Sequence, residues 1–597
     1  MKRLASSSAR SLSEPYLVFD FVDSADVPQH LVFADPVEVI TTTSLADVRS
    51  CLREVEQAKN KGLYAAGYVS YEAAPAMDAS LNVRADSLLP LIWFGLFRTP
   101  SDPRAKQLEA FQLSAWQPSI KRATYDDNIA RVGEAIGRGD TYQVNYGFRL
   151  RAEFAGDDYA FYRRLVQAQR APYCAYLNLG RYRILSASPE LFFRRHGSLI
   201  TARPMKGTTR RGRWADEDNA LAAELYQSEK NRAENVMIVD LVRNDLGHVA
   251  EIGSVRVRKL FELERYPTLW QMTSTIDATL RPGSTIEDLF VALFPSGSIT
   301  GAPKISTMKI IANLEDSPRN AYCGAIGFVK PNGEAAFNVA IRTVVIDSEL
   351  GMAEYGVGGG VTWDSTSADE YQEALNKAAV LVEPCAEFEL LETMRLENGK
   401  YALLERHLER LQSSAGYFDF SLSLQHVRAE LAANAERLGT EAQRVRLLVS
   451  KDGVLRIENA ALEVSHSASL AVALASRPVS RDDLFLHHKT TQRQIFAELK
   501  AEFPDSDDVL LWNEEEEVTE FCTGNLVAKL NGVLVTPPRE SGLLAGALRA
   551  QLLADGEIQE RVLPLSELYS ATDLWLINSV RGWIPVSLAD TKRATSR

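Results

Sequence analysis

The chain has 597 residues, 46% of them hydrophobic, enough apolar material for about two to four packed domains and too much chain for a single one. Its formal net charge is −13, with Lys and Arg interspersed among acids; this excludes nucleic acid as a main partner and confines anion binding to local basic pockets. Cys51, Cys174, Cys323, Cys385 and Cys522 lack metal-type spacing, no apolar run is long enough for a membrane span, and "MKRLASSSARSLSEP" lacks a signal-peptide core, so a soluble cytoplasmic protein with reduced thiols and no membrane association is expected.

In chain order, "LPLIWFGLF" (Leu89 to Phe97) reads as a strand, "YDDNIARVGEAIGRG" as a helix, and "YCAYLNLG" and "YRILSASPELFFRR" as strands, with Glu190 at a strand end. "TARPMKGTTRRG" sets the Lys206 amine between a Pro-Met turn and a Gly-Thr-Thr step; a lone lysine in a basic loop is ordinarily a solvated charge. "EKNRAENVMIVDLVRNDLG" places Glu234 near the start of an amphipathic helix. "FPSGSITGAPK" is small-residue text with one threonine hydroxyl, Thr300, and "FNVAIRT" offers Arg342 as a carboxylate fork. The glycines of "YGVGGGVTWDS" (Gly356, Gly358, Gly359 and Gly360) do not make Gly-x-Gly-x-x-Gly. They suggest instead a backbone nest that approaches an anion. In "DEYQEALNKA", Glu370 and Glu373 are three apart and share a helical face. Carboxylates from two helices suit Mg²⁺, although each motif alone is also what a solvated helix surface carries. This stretch reads as a large α+β body. The text changes at about 380–388, where a helix ends at Pro384 and a hairpin starts around Asn398-Gly399. Beyond it, "LERHLERLQSSA" puts Arg410 on an amphipathic helix, and "FLHHKTTQRQIF" sets Lys489 between histidines and a Thr-Thr pair. "EVTEFCTGNLVA" gives Glu520, Thr523 and Asn525 at a strand-turn-strand, and "SGLLAGALRAQLL" gives a glycine turn at Gly546 into a helix, a ready phosphate site.

Residues from roughly 120 to 380 resemble the chorismate-utilising enzymes, through "GDTYQVNY", "SASPELF", "RPMKGTTRRG", "AENVMIVDLVRND", "PSGSITGAPK", "YCGAIGF", "FNVAIRT" and "GVGGGVTWDS" with "EYQEALNKA". The resemblance implies a large α/β sandwich like anthranilate synthase component I, with chorismate as substrate. It implies Mg²⁺ at Glu234 and Glu373 with Glu370 in support, and substrate contacts from Thr300, Tyr322, Arg342, Gly358, Gly359 and Lys377. It makes Lys206 and Glu190 the catalytic pair. Anthranilate synthases carry alanine where Lys206 stands. A lysine there is similar to the aminodeoxychorismate synthase branch, where it is proposed to attack the ring, and to isochorismate and salicylate synthases, where it activates water. Gln271, in "LWQMTSTI", takes the place of a histidine found in many relatives. The first 120 residues match only loosely, so the expected division is a synthase domain with a loosely matched N-terminal part, 1–120, and a chorismate-binding catalytic part, 121–382, followed by a pyridoxal-phosphate domain, 386–597.

The last 210 or so residues resemble fold type IV pyridoxal-phosphate enzymes, the family of branched-chain and D-amino-acid aminotransferases and of 4-amino-4-deoxychorismate lyase. That resemblance implies a second α+β domain in which Lys489 carries pyridoxal 5'-phosphate. Arg410 and the Gly546-Ala547-Leu548 backbone would hold the phosphate, with Thr523 and Asn525 nearby, and Glu520 would pair with the pyridinium nitrogen. The family's opening segment is rewritten here, and Thr393 in "EFELLETMRL" is an active-site position on the same ground. Two domains resembling consecutive enzymes of one route imply conversion of chorismate and ammonia to 4-amino-4-deoxychorismate, then loss of pyruvate to give 4-aminobenzoate for folate. The alternative is an isochorismate or salicylate synthase joined to an aminotransferase. No cysteine elbow of glutaminase type occurs, so a separate glutamine amidotransferase subunit is the expected ammonia source. The resemblance also allows a homodimer through the pyridoxal-phosphate domain.

Overall fold

The computed structural model describes residues 15–103, 108–381, 387–462 and 469–589. The chain forms two compact bodies, one of Met1–Arg210 with Ala222–Cys385 and the other of Arg211–Leu221 with Ala386–Arg597. No helix among the described residues is long and apolar enough to cross a membrane.

Two ten-stranded sheets build the first body. The strand Tyr16–Val22, YLVFDFV, shows why they stack. Leu17, Phe19 and Phe21 enter one apolar cluster with Tyr68, Trp93 and Phe328 from the other sheet. Tyr16 and Val18 face the opposite way, into a cluster with Tyr125, Tyr162 and Leu165 from covering helices. A strand buried on both faces loses polar alternation and becomes a continuous apolar run; Ile92–Phe97 is likewise buried at all six positions. Helices Val48–Asn60, Glu229–Gly247 and Ile286–Leu293 cover the outer face of one sheet. Arg122–Gly137, Asp158–Gln169 and Ser367–Ala378 cover the other. Strands from the first 120 residues belong to the same two sheets as the rest of this body. Tyr16–Val22 shares a sheet with Gln143–Gly156 and Met352–Val361, and Tyr64–Val69 shares the other with Leu191–His196.

The run "YRILSASPELFFRR" is two strands rather than one. Tyr182–Ser188 pairs in the first sheet and Leu191–His196 in the second. Pro189 has no N–H for a ladder, and the chain changes sheets there, leaving Glu190 buried at the crossing.

In the second body a four-stranded sheet, centred on Leu390–Glu397 and Gln443–Val449, packs against helices Leu404–Phe418 and Leu424–Leu438. Its first hairpin turns at Asn398 and Gly399, with φ of 52° and 71°, the pair of positive values that a two-residue turn of this kind needs. An eight-stranded sheet forms the remainder, and pairing of Val518–Phe521 with Gly524–Leu530 closes six of its strands into a barrel. The expected boundary residues Pro384 and Cys385 lie outside the described residues.

The division at 386 therefore misses part of this body, because Arg211–Leu221 belongs to it as well. Within the body, the buried Arg211 guanidinium forms a fork with Asp218, at 2.7 Å from Nε to Oδ1 and 2.8 Å from Nη2 to Oδ2. It lies 4.4 Å over the Tyr417 ring, and the Tyr417 hydroxyl donates to the Gly212 carbonyl at 2.6 Å. Removing one partner of a buried pair strands the other charge, at a cost of roughly 3–5 kcal/mol. Asp218→Ala is therefore expected to lower the stability of the second body by about 3 kcal/mol, and Asp218→Asn by less. Urea unfolding checks this, and unchanged stability in the alanine variant contradicts it.

Candidate active sites

The first body holds a cavity of about 310 Å³, walled by both sheets and by helices Glu229–Gly247 and Ser367–Ala378. Lys206 enters it from the strand Met205–Arg210, whose pairing slips between Met205 and Thr208. Such a bulge re-aims a side chain. Gly207 makes it with φ of 93°, and a Cβ there would press on Asn231 at 3.2 Å. Three contacts fix the bulge. Asn235 donates to the Lys206 carbonyl at 3.3 Å, Gln271 Nε2 donates to the Gly207 carbonyl at 2.9 Å, and Thr208 donates to Gln271 Oε1 at 3.0 Å. Gln271 thus ties down the lysine's loop.

Burial, with Lys377 adding like-charge repulsion, lowers the Lys206 pKa against the pull of Glu234. Across the cavity, burial drives the Glu190 carboxyl up to about 7, although Ser298 donates to it and Lys206 attracts it. The Ser298 to Glu190 Oε1 distance is 2.5 Å. An amine eased toward neutrality and a carboxyl that keeps its proton near neutral pH are a nucleophile or base matched with an acid.

Glu234, Glu370 and Glu373 line this same cavity. Burial raises Glu234 and Glu370. Lys377 holds Glu373 below the usual range through a 2.5 Å ion pair. Glu370 accepts from Ser365 at 2.6 Å on Oε1, while its buried Oε2 has no partner. Lys377 also donates to the Gly358 carbonyl at 3.1 Å. Tyr322 and Arg342 line the wall too, the latter donating to the Lys377 carbonyl.

Two expectations change. The glycines of "YGVGGG" form no nest: they lie in the strand Met352–Val361, in register with Asn145 to Arg149. Their missing side chains let neighbours close in. A Cβ on Gly356 would strike the Tyr322 ring at 2.2 Å, one on Gly359 would meet Glu370 at 2.9 Å, and one on Gly360 would meet Lys206 Nζ at 2.9 Å. Thr300 does not line the cavity; its hydroxyl serves the carbonyls of Ser296 and Gly297. The hydroxyl at the wall is that of Ser298, two residues away in the same quoted motif.

In the second body, Lys489 accepts at its carbonyl from Leu391 at 2.9 Å, beside the Leu390–Thr490 bridge. Burial, reinforced by Arg410 and Arg493, lowers its amine to about 7. Its neighbour His488 is fixed as one tautomer. Nε2 faces the Arg213 carbonyl at 3.0 Å, which can only accept, so Ser414 donates to Nδ1 at 2.9 Å. Burial holds that ring neutral, at about 3. Glu520 is buried, has no ion pair among the described residues, and is driven by burial up to about 8. It accepts from Leu544 N–H and from Asn525, each at 3.2 Å. Gly546 caps the helix Ala547–Ala554, and a Cβ there would fall 2.1 Å from Asn525 Oδ1.

Arg410 donates to the Ala545 carbonyl at 3.0 Å, just before that cap, and grips Glu392 with two bonds of 2.9 and 2.6 Å. His407 joins the same carboxylate at 2.6 Å. Glu392 and His407 went unread in the sequence, although the spacing of His407 and Arg410 in "RHLER" puts both on one helical face. Thr393 points to the opposite side of its strand from Glu392 and is half-buried. Thr523 is exposed, with its hydroxyl committed to Asp508.

Residues 18–383 match the family described as chorismate binding enzyme. The chain belongs to that family. Its chorismate-binding body is 42% identical over 289 residues to an aminodeoxychorismate synthase component 1 of Salmonella typhimurium strain LT2, covering 48% of this chain and 63% of that protein. It is 43% identical to the protein of that name from Escherichia coli K12, over 45% and 59% of the two chains. The match thus spans about three fifths of these relatives' length. In fold, the chorismate-binding body is similar to an anthranilate synthase component I from Streptococcus pneumoniae TIGR4, with a TM-score of 0.50 and 24% identity over 64% of this chain and 95% of that one. Residues 389–589 match amino-transferase class IV, a class that implies pyridoxal phosphate.

The second body's residues suit that cofactor. Glu520 is a buried carboxyl in need of a cation such as a pyridinium, Lys489 is a near-neutral amine, and Arg410 and the Ala547 and Leu548 N–H groups stand at a helix start suited to a phosphate. Glu392 holds Arg410 in place. Burial opposes ionisation of Glu392, but Arg410 and His407 overcome it and hold the carboxyl at about 2. A carboxyl so lowered stabilises the fold above its ordinary value of 4.5, and loses that contribution as pH falls toward 2. Acid unfolding of Glu392→Gln should therefore differ from the parent by about 3 kcal/mol above pH 4.5, and the gap should close between pH 4.5 and 2. A gap that does not depend on pH contradicts the assignment.

Proposed function

We propose that the chain makes 4-aminobenzoate from chorismate in two steps, by amination to 4-amino-4-deoxychorismate and then by elimination of pyruvate. The observation that carries this reading is that the Lys206 amine and the Glu190 carboxyl line one cavity of a chorismate-binding body, in a chain whose other body is of the aminotransferase class IV type. The names of the bacterial relatives support it.

In the first site the Lys206 amine adds to the substrate ring while Glu190 gives its proton to the departing 4-hydroxyl, which leaves as water. Ammonia then adds at C4 and the lysine departs. Glu234 and Glu373, with Glu370 in support, would hold Mg²⁺. Among the described residues no group of three or more such side chains could hold an ion by itself, so a bound Mg²⁺ would need waters and a substrate carboxylate as further ligands. The unpartnered Glu370 Oε2 is consistent with that use. The metal would supply positive charge opposite the substrate's carboxylate. Thr208, Gln271 and Asn235 keep the amine aimed. In the second site, pyridoxal phosphate when bound supplies an electron sink. Lys489, its amine lowered by burial to about 7, takes the proton from ring C4, and enolpyruvate leaves as the ring becomes aromatic. Ammonia would come from a separate glutamine amidotransferase subunit.

The two sites should fail separately. Given chorismate, Mg²⁺ and ammonium, the parent chain is expected to yield 4-aminobenzoate by mass. Lys489→Ala should stop at 4-amino-4-deoxychorismate and lose the cofactor's absorbance. Lys206→Ala should keep that absorbance and still release pyruvate from supplied 4-amino-4-deoxychorismate. Isochorismate or salicylate as the parent's product refutes the reading, as does rapid turnover of glutamine by the chain alone.

Without ammonia, a chorismate-derived mass should build up on the peptide carrying Lys206. Because Glu190 titrates at about 7, this adduct should form more slowly as pH rises past 7, an alkaline limb that Glu190→Gln should lack. Intact-protein mass spectra with no adduct would make Lys206 a base instead.

A further inference from the structure

Gln143 begins the strand Gln143–Gly156 and is 1% exposed, yet among the described residues neither Nε2 nor Oε1 of its side chain has a hydrogen-bond partner. Its backbone is accounted for: the carbonyl accepts from the Thr141 hydroxyl at 3.0 Å, and the residue pairs with Ala302 across the ladder. Leaving a buried polar group unpaired costs about 1–3 kcal/mol, and an amide unpaired at both ends stands out against the rule that buried polar groups are satisfied. A Cβ on Gly360 would lie 2.3 Å from Gln143 Nε2 and 2.9 Å from Lys206 Nζ. The idle carboxamide and the amine therefore converge on one spot beside the Gly360 backbone, at the wall of the cavity.

We propose that Gln143 is a positioning residue for Lys206, its carboxamide oxygen accepting an N–H of the lysine while that nitrogen bonds to the substrate ring. A half-turn of the amide exchanges Oε1 for Nε2 at little cost, because the two ends have the same shape. The bond strengthens as the nitrogen gains positive charge, so it favours the transition state over the resting enzyme. A neutral acceptor orients the amine without adding a further charge to hold it protonated, which is why an amide suits this position better than a carboxylate. The inference rests on Lys206 acting as the nucleophile.

The test is Gln143→Leu, which keeps the bulk and removes both polar ends. Its kcat for amination of chorismate should fall roughly 10- to 100-fold, with KM for chorismate within about twofold, and the Lys206 adduct should build up correspondingly more slowly. Melting of the ligand-free protein should be unchanged or raised, because an unpaired buried amide has been replaced by an apolar group. Pyruvate release from supplied 4-amino-4-deoxychorismate should not change. Normal kcat, or a fall in melting temperature with kcat kept, overturns the proposal. If the leucine variant does not fold, Gln143→Asn decides: a lower kcat at constant KM supports the proposal and parent-like kinetics overturn it. If the parent protein forms no adduct, the nucleophile reading fails and this proposal fails with it; if the adduct forms while Gln143→Leu keeps its kcat, this proposal alone fails.

Discussion

Keeping a primary amine largely out of water is the constraint around which both sites are built. An ammonium buried without a matched carboxylate loses hydration that no neighbour restores, so the neutral form gains. At Lys206 the shield is the inter-sheet wall and the bulge at Gly207, and at Lys489 it is the seam between the small sheet and the barrel. In each site one carboxyl is buried as well and pushed the other way, Glu190 to about 7 and Glu520 to about 8. Desolvation thus prepares acid and amine together, with no direct ion pair required.

The remaining carboxylates show what happens where a cation is close. Glu392 in the grip of Arg410 stays ionised despite burial, and Lys377 holds the part-exposed Glu373 below the usual carboxylate range. Glu370 sits between these cases, one oxygen held by Ser365 and the other free. Charge in the first cavity is therefore graded. Protonated Glu190 stands on one wall, and on another stand carboxylates able to accept a divalent ion.

Glycines set the distances. Along the strand Met352–Val361, each absent Cβ makes room for a different neighbour: the Tyr322 ring, the Glu370 carboxylate, or the Gln143 amide with the Lys206 amine. Glycine in a strand interior weakens the strand. Here the ladder to Asn145–Arg149 and the burial of Ala353, Tyr355, Val357 and Val361 on one face offset that weakness, and site geometry gains from it.

Much of this was legible in the text of the chain. The apolar runs announced strands, Asn398-Gly399 announced its hairpin, and Glu370 and Glu373 announced a shared helical face, because each depends on local periodicity or on a single residue's permitted φ. The glycine run misled, since spacing alone does not separate a nest from a strand that must accommodate large neighbours. Thr300 misled for a similar reason: a motif names its hydroxyls, but only the fold of the loop decides which of Ser298 and Thr300 faces the cavity. Glu392, His407 and Gln143 stayed silent because their meaning lies in what approaches them from residues far along the chain or across a sheet. The same holds for Arg211–Leu221, which lies amid the first body's sequence and packs in the second. Sequence by itself determined the element types, the two families and the two candidate lysines, properties carried by residue identity at short range. Tertiary structure alone decided which polar groups are buried, paired or left waiting, because burial and pairing are set by contacts between distant parts of the chain.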